Sequence, residues 1–588
     1  MPTIAAAQRK AIENIVGTGR ARFDKRERRV YSHDTGVLPG LFRILAGPSL
    51  ADGVAQPETE DQVVRLVRYA AENGIPVVPR GKATSGYGGA VPAQGGLVLD
   101  LTRLKGIVRA DTEGMAVTVR AGTVWKDLEE ALAAYGLALR LYPTSAPAST
   151  VGGWLAQGGA GIGSHAYGWF ADNVIAARVV TAKGEVRHIT GKELATISEA
   201  EGTTGIISEV TLAVRYTGDL SQTAIAFADA RQMTEALHRI SEGGLPIWSI
   251  SFLNPTMAQL KNAGPPTTHQ GHPEPAGPKL PEGRYIVLVA YAAEDSQPVI
   301  DGLREIAAST DAERLPAAIA RHEWDERFKP MRLKRLGPSV VATEVVVPLV
   351  SLPDVLDELA RNIKAPLAIE GISVRGNEIV LLGFIPHDER TPGFTFGYGF
   401  ALSAIRAAER HGGRAYSVGR YFSSRADNLL GAERVTALKL AKGRNDPNGI
   451  LNPGKLVFGT GPIGEVIGMA AGMEPLVRTF ANLFGRPAEP MERKAPARGF
   501  PADVASYAYA CAQCGYCVDT CTLYQGRGWE SSGPRGKWSF VKDVLEGKDH
   551  FDQQMTDTFL LCTTCEKCDI VCQLDLPIEP TWGLLRGN

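Results

Sequence analysis

Apolar positions fall at helical spacing along ETEDQVVRLVRYAAEN (58–73), with acids in the first turn where they favour the helix dipole, and Gly74 stops the run. Two short apolar runs follow, over 75–79 and 96–101, separated by the polar, glycine-rich turn RGKATSGYGGAVP. The pattern predicts helix, strand, loop, strand. Farther on, over 217–440, β-branched runs such as YIVLVAYA and ATEVVVPL alternate with amphipathic stretches such as DVLDELARNI, which predicts an α+β unit. Between these strands lies NAGPPTTHQGHPEPAGPKLPEG, whose Pro and Gly content predicts a surface loop; its His269 and His272 have no acids or cysteines in register and read as solvent-exposed. Residues 460–500 shift to Gly, Pro and the apolar helical stretch EVIGMAAGMEPLVRTFANLFGRP. One face of that helix is expected to pack between domains, with a partner or membrane-surface contact as the alternative. Nowhere do about 18 consecutive apolar residues occur, so no membrane span is expected.

Length and charge narrow the picture further. A chain of 588 residues accommodates roughly three or four domains. A net charge of −1 gives no global field to recruit nucleic acid, and no polybasic tail points to anionic lipid. The opening MPTIAAAQRKAIENIVGTGR lacks an apolar stretch long enough for a signal peptide, and no cysteine is left over for a disulfide, so a cytoplasmic location is expected.

The 8 cysteines carry the clearest chemistry. They form two copies of one spacing, Cys511-x2-Cys514-x2-Cys517-x3-Cys521 and Cys562-x2-Cys565-x2-Cys568-x3-Cys572. Four thiolates at these offsets match ligation of a [4Fe–4S] cluster, and in two-cluster ferredoxins the fourth cysteine of each run serves the other cluster. The expected quartets are Cys511, Cys514, Cys517 and Cys572, and Cys562, Cys565, Cys568 and Cys521. Two structural zinc sites would use paired CxxC units but leave the third cysteine of each triplet unexplained. The proline that often follows the fourth cysteine is Thr522 here and Gln573 in the second copy; neither position ligates.

The turn between the two early strands presents backbone N–H groups and hydroxyls without obstruction, a concavity suited to phosphate. Residues 76–92 resemble the pyrophosphate loop of the FAD-binding domain of the vanillyl-alcohol-oxidase/p-cresol-methylhydroxylase superfamily. In the same order, 143–174 resembles its second flavin-contacting stretch, 203–214 the segment closing the flavin domain, and 445–456 its returning flavin contact. By this resemblance Pro79, Arg80, Gly81, Lys82, Ala83, Thr84, Ser85, Gly88 and Gly89 line the pyrophosphate. Pro143, Thr144, Ser149, Thr150, Gly152, Gly153, Gly161, Gly163, Gly205, Ile206 and Asn452 approach the flavin or adenosine. Lys455 either steadies an anionic part of the cofactor or is a solvated helix-end lysine. The loop holds Lys82 and Ala83 where some relatives attach flavin covalently, so the FAD is expected to be non-covalent unless a histidine such as His165 attaches it. A nicotinamide site is disfavoured, because Gly159, Gly161 and Gly163 do not follow a strand as GxGxxG.

The expected organisation is α+β throughout the flavin part. A PCMH-type FAD-binding domain spans 1–216 and a cap 217–440, followed by a returning flavin-contacting segment (441–460), a linker (461–500) and a mostly helical ferredoxin-type domain (501–588). The cap resembles that of the glycolate, D-lactate and D-2-hydroxyglutarate dehydrogenases, whose GHxGDGNxH strand binds a divalent metal through two histidines. Here GISVRGNEI (371–379) carries Ile372 and Ile379 in the histidine places, and Ser417, Val418 and Gly419 stand at the later GEHG turn, so no metal is expected in the cap. Trp324, Arg327, Arg332, Tyr398, Arg414, Tyr416 and Arg420 are the polar and aromatic candidates for holding a substrate; each arginine could equally pair with a local acid. WESSGPRGKWSFVKDVLEGK resembles the inter-cluster region of the iron–sulfur subunits of glycolate oxidase and heterodisulfide reductase, which continue into cysteine-rich repeats. A cysteine-rich electron acceptor is therefore expected on a partner polypeptide. These resemblances imply an FAD- and iron–sulfur-dependent oxidoreductase subunit acting on a small 2-hydroxy acid. The alternative is a pure electron-transfer module of a heterodisulfide-reductase-like complex.

Overall fold

The structure, a computed structural model, describes residues 4–47, 49–266, 268–269, 272–273, 277–458, 462–485 and 500–586. Thr59 caps the first predicted helix, Glu60–Glu72, by accepting a hydrogen bond from Gln62 N at 3.2 Å, and the helix buries Val63, Leu66, Val67 and Ala70. These side chains cover a four-stranded sheet ordered Ala21–Arg22, Gly53–Ala55, Leu97–Asp100 and Val77–Arg80, whose last three strands are parallel. The glycine-rich turn leaves the carboxyl end of Val77–Arg80, the end of a parallel sheet at which ligands bind. A second, antiparallel sheet runs Ile107–Asp111, Ala116–Arg120, Ile206–Tyr216, Val174–Val180, Val186–Thr190, with Leu137–Leu139 also paired to the central strand. The chain comes back after the cap: Val77 N donates to Ile450 O and Asn452 N to Val77 O, both at 2.8 Å, which docks the returning segment beside the turn.

The cap is an eight-stranded antiparallel sheet ordered Glu313–Arg314, Leu220–Phe227, Tyr285–Ala292, Ile247–Leu253, Ala368–Val374, Glu378–His387, Ser339–Pro348, Arg414–Ala415. Helices Ala230–Glu242, Ser296–Thr310, Leu352–Asn362 and Gly393–Arg410 bury one face of it. The other face packs partly on helices Pro255–Asn262 and Ala317–Asp325 and partly, through Trp248 and Ala290, on the flavin domain. Within the proline-rich loop the backbones of Thr268–His269 and His272–Pro273 pair as antiparallel strands.

The last domain does not hang from a linker. Its helices Ala502–Ala510, Pro534–Leu545, Gln553–Leu560 and Ile578–Arg586 surround Trp538, Trp582 and Phe559, and that core is continuous with Tyr31, Val54, Val78 and Val98 of the flavin domain. The apolar stretch before it forms Pro462–Gly472 and Glu474–Phe484. Ala471 and Ala481 join the cap core, while Met469, Met473, Leu476, Phe480 and Leu483 stay exposed. Residues 486–499 of the expected linker lie outside the described residues. Among the described residues no helix is long and apolar enough to cross a membrane.

Candidate functional site

Two cavities meet along the glycine-rich turn. The first, about 100 Å³, is lined by Pro79 through Ser85, Gly89, Ser149, Thr150, Gly152, Gly153 and Gly205. Thr150 starts the helix Val151–Gln157 and accepts from Gly153 N at 3.3 Å. A Cβ at Gly81 would stand 2.3 Å from its hydroxyl, so the turn and this helix start can close on each other only without a side chain there. At Gly89 an added Cβ would meet the Glu201 carboxyl at 2.1 Å. Burial pushes Glu201 up to about 7. The cradle is a bare backbone between two elements, which fits the pyrophosphate of a dinucleotide.

The loop is braced from behind. Asp34 accepts from Gly88 N at 2.7 Å, and Asn452 Nδ2 donates to Gly89 O at 3.0 Å and to Glu201 O at 2.6 Å. Lys455 is wholly buried and donates to the carbonyls of Gly88 and Val91, so it is not a solvated helix-end lysine. Burial, with Arg420 nearby, lowers it to about 7. Gly161 and Gly163 lie instead against the Tyr142 and Arg140 carbonyls, and Ile206 is core; none of these three lines either cavity.

Arg80 and Lys82 contribute backbone to the cradle, but their side chains turn away from it. Arg80 sits 3.7 Å from Glu530, which Arg535 also grips, and Lys82 Nζ donates to Asp519 at 2.7 Å. Arg535 Nη1 closes the circuit by donating to Lys82 O at 2.7 Å. Both residues line the cradle, as expected of the loop, while their charged ends bind the turn to the cysteine-rich domain.

The second cavity, about 210 Å³, opens from Thr84–Tyr87 and is walled by Pro143, Thr144, the cap strands and the cysteine-rich domain through Cys514, Tyr516 and Gln573. Tyr87 donates its hydroxyl to Glu344 on strand Ser339–Pro348. Burial pushes the Glu344 carboxyl above the usual range, with the Tyr87 hydroxyl pulling it back. Tyr398 donates to Val37 O at 2.5 Å, and the Tyr416 hydroxyl lies 3.2 Å from Ala160 N and O. Lys334 and Glu344 are the sole charged side chains among the described lining residues.

Of the cap candidates, Tyr398 and Tyr416 therefore line this cavity and the others do not. Trp324 and Arg327 stack 4.2 Å apart beside a separate space of about 20 Å³ that Ile372 also lines. Arg332 pairs with Glu326 and, at 2.7 Å, with Asp575 of the last domain. Arg414 lies over the Trp169 ring and 3.8 Å from Glu378. Arg420 reaches Ser49 Oγ at 2.8 Å. Acids, rings and, for Arg420, a hydroxyl hold these arginines. Ile372 and Ile379 are buried in the cap sheet, and Ser417 lines the second cavity. His165 faces Ser373 Oγ at 3.0 Å, away from both cavities. Sequence reasoning missed Tyr87, Glu344 and Lys334. Tyr87 lay inside the quoted turn and Lys334 beside Arg332, but nothing local marked them.

In the last domain the two cysteine runs repeat in backbone as well as sequence. Gln513 and Thr564 have φ of 55° and 52°, and Gly515 and Glu566 have 83° and 55°, the same places in each copy. Cys521, Cys562, Cys565 and Cys568 ring one small cavity of about 20 Å³ with Lys537. Burial and the neighbouring thiols Cys514, Cys511, Cys572 and Cys568 push Cys517 well up, and burial with Cys514 and Cys511 does the same to Cys572. Cys521 thus shares its cavity with the second triplet. Thiols ringing a space, on loops wound left-handed at matching points, suit a cube of iron and sulfide.

Comparison with known proteins agrees with this geometry. Residues 51–190 match the family model of an FAD binding domain, 221–397 that of FAD linked oxidases, C-terminal domain, and 510–577 that of a 4Fe-4S dicluster domain. The mitochondrial D-lactate dehydrogenase [cytochrome] of Arabidopsis thaliana is 26% identical over 70% of this chain and 74% of its own. Glycolate oxidase subunit GlcD of Bacillus subtilis is 25% identical over 69% of this chain and 89% of its own. Among solved structures, 4-ethylphenol oxidase from Gulosibacter chungangensis has a TM-score of 0.63 at 18% identity, covering 78% of this chain and 98% of that one, a likeness of fold. The chain combines an FAD binding domain, the C-terminal domain of FAD linked oxidases and a 4Fe-4S dicluster domain in one polypeptide, which makes it an FAD-linked oxidoreductase similar to D-lactate dehydrogenase and to a glycolate oxidase subunit.

Proposed function

We propose that this chain joins the two-electron oxidation of a small 2-hydroxy acid to one-electron exchange with a partner protein. The observation that carries the reading is Cys514: it lines the same cavity as Thr84–Tyr87 of the flavin turn. FAD bound here would supply a two-electron acceptor able to give up electrons singly, and [4Fe–4S] clusters a one-electron outlet. Pro79, Gly81, Gly89, Thr150, Gly152 and Gly153 would hold the dinucleotide, without a covalent bond, since Lys82 and Ala83 stand in the loop where some relatives attach flavin. Cys511, Cys514, Cys517 and Cys572 would hold one cluster, and Cys521, Cys562, Cys565 and Cys568 the other. Cys565 is the one exposed thiol among the eight, which makes its quartet the natural side for a redox partner.

The substrate class is supported by the named relatives, a D-lactate dehydrogenase and a glycolate oxidase subunit. A second reading, a flavin and iron–sulfur relay that binds no organic substrate, draws on the apolar Ile372 and Ile379 and on the wall that Tyr516 and Gln573 put across the cavity. Anaerobic mixing with D-lactate, glycolate and 2-hydroxyglutarate tests the choice. Bleaching of the flavin by one of them, unaffected by chelators, is expected. Failure of all three, with bleaching by a reduced partner, would establish the relay. Anaerobic protein should hold about eight iron and eight labile sulfides; an iron-free, zinc-loaded preparation from iron-replete cells would refute the clusters.

A further inference from the structure

The second cavity contains one cation and one carboxylate among its described lining residues, Lys334 and Glu344, against a wall otherwise apolar, aromatic or neutral polar. Lys334 is 6% exposed and donates to Cys511 O at 3.2 Å, which engages one of its three donors. No carboxylate among the described residues lies within ion-pair distance of it. Glu389 and the thiols of Cys511 and Cys514 are its acidic neighbours, and two of its donors remain for an anion in the cavity. Glu344 has no cationic partner among the described residues either; it accepts only from Tyr87 and faces the cavity. The histidines that serve the related caps are replaced here, so a proton acceptor must come from elsewhere.

We infer that Lys334 binds the carboxylate of the substrate and that Glu344, oriented by Tyr87, accepts the proton of its hydroxyl. This rests on the 2-hydroxy-acid reading above. The hydroxyl proton would pass to Glu344 as C–O becomes C=O, and bound FAD would supply the two-electron acceptor for the hydrogen lost with its electron pair from the adjacent carbon, which leaves a 2-oxo acid and a protonated Glu344. Lys334 and Glu344 are thus catalytic residues, and Tyr87 is a positioning residue.

The test separates binding from chemistry in the FAD-loaded, cluster-loaded protein. Oxalate, which cannot be oxidised here, is titrated anaerobically against the flavin spectrum, and flavin reduction by the active 2-hydroxy acid is followed by stopped flow. Lys334→Met should weaken oxalate about tenfold or more; Lys334→Arg, which keeps the charge, should recover most of it. Glu344→Gln should leave oxalate affinity within about threefold while slowing flavin reduction by about 10²–10⁴. Tyr87→Phe should slow reduction less and shift its pH profile, which a merely structural role would not do. Unchanged oxalate affinity in Lys334→Met, with only the cluster EPR signal altered, would overturn the first role, for the lysine would then serve the thiolates alone. Unchanged reduction in Glu344→Gln would overturn the second. Wild-type flavin that no 2-hydroxy acid bleaches would overturn the substrate reading and Glu344 with it, whereas oxalate still decides Lys334.

Discussion

Glu530 is 1% exposed between Arg80 and Arg535, themselves 1% exposed, so one buried carboxylate pairs with two buried guanidinium groups. Those guanidinium groups hold its pKa below the ordinary range against the cost of burial. Its stabilisation is therefore complete at neutral pH and is lost as pH falls through that lowered value. Glu530→Ala should cost about 3–5 kcal/mol, since it strands two charges, and denaturant unfolding measures it; a loss below about 1 kcal/mol would mean the cluster is solvated. At the cradle, Gly89→Val should weaken FAD by about tenfold or more with the fold intact, because a side chain there enters the cavity and meets Glu201. The flavin-to-protein absorbance ratio reports it, and full occupancy would move the phosphate site elsewhere. The glycine turn was legible because backbone exposure is written in residue type. The turning of Arg80 and Lys82 was not, because their partners Glu530 and Asp519 lie more than 400 positions away in the chain.

At the scale of elements, periodicity carried far. Tyr285–Ala292 coincides with the run YIVLVAYA, and Glu60–Glu72 with the helical pattern of 58–73, since each buries one face in a regular core. What periodicity could not give was strand order: Ser339–Pro348 lies between Glu378–His387 and Arg414–Ala415. Glu344 points into the cavity for that reason. The cysteine runs are the opposite case, where spacing alone nearly dictates the loop. Cys521 shares its cavity with the second triplet, not its own. Cys521→Ser should therefore damage the cluster on Cys562, Cys565 and Cys568 and spare the other, read by EPR of the two reduced centres; selective loss of the first triplet's signal would reverse the pairing. Glu566, at φ 55° where the first copy has Gly515, should tolerate glycine with a gain of up to about 1 kcal/mol, by removing left-handed strain.

Across the whole molecule, the flavin and cysteine-rich domains share one core and one buried charge network. Trp538 and Trp582 belong to the same apolar cluster as Val54, Val78 and Val98, strand residues of the four-stranded sheet. Gln56 adds a buried hydrogen bond at 2.8 Å to Gly528 O, and Arg26 an ion pair at 2.8 Å to Asp552. Composition shifts and a Pro-rich segment suggest a separable tail, because sequence marks a boundary by its linker and says nothing of what the tail covers. Removal of residues 500–586 would expose that sheet face and leave Arg80 and Lys82 without Glu530 and Asp519. A chain truncated at 485 should therefore fail to hold FAD and should aggregate, in contrast to a modular flavoprotein that has merely lost its outlet. In the intact holoprotein, loss of flavin fluorescence quenching and loss of helical circular dichroism on denaturation should coincide in one transition. Two separated transitions, or a truncated chain that stays monomeric and FAD-loaded, would show that the shared core is a contact between independently stable domains. Coincidence would mean that the cavity joining Thr84–Tyr87 to Cys514 exists only when both domains are folded together.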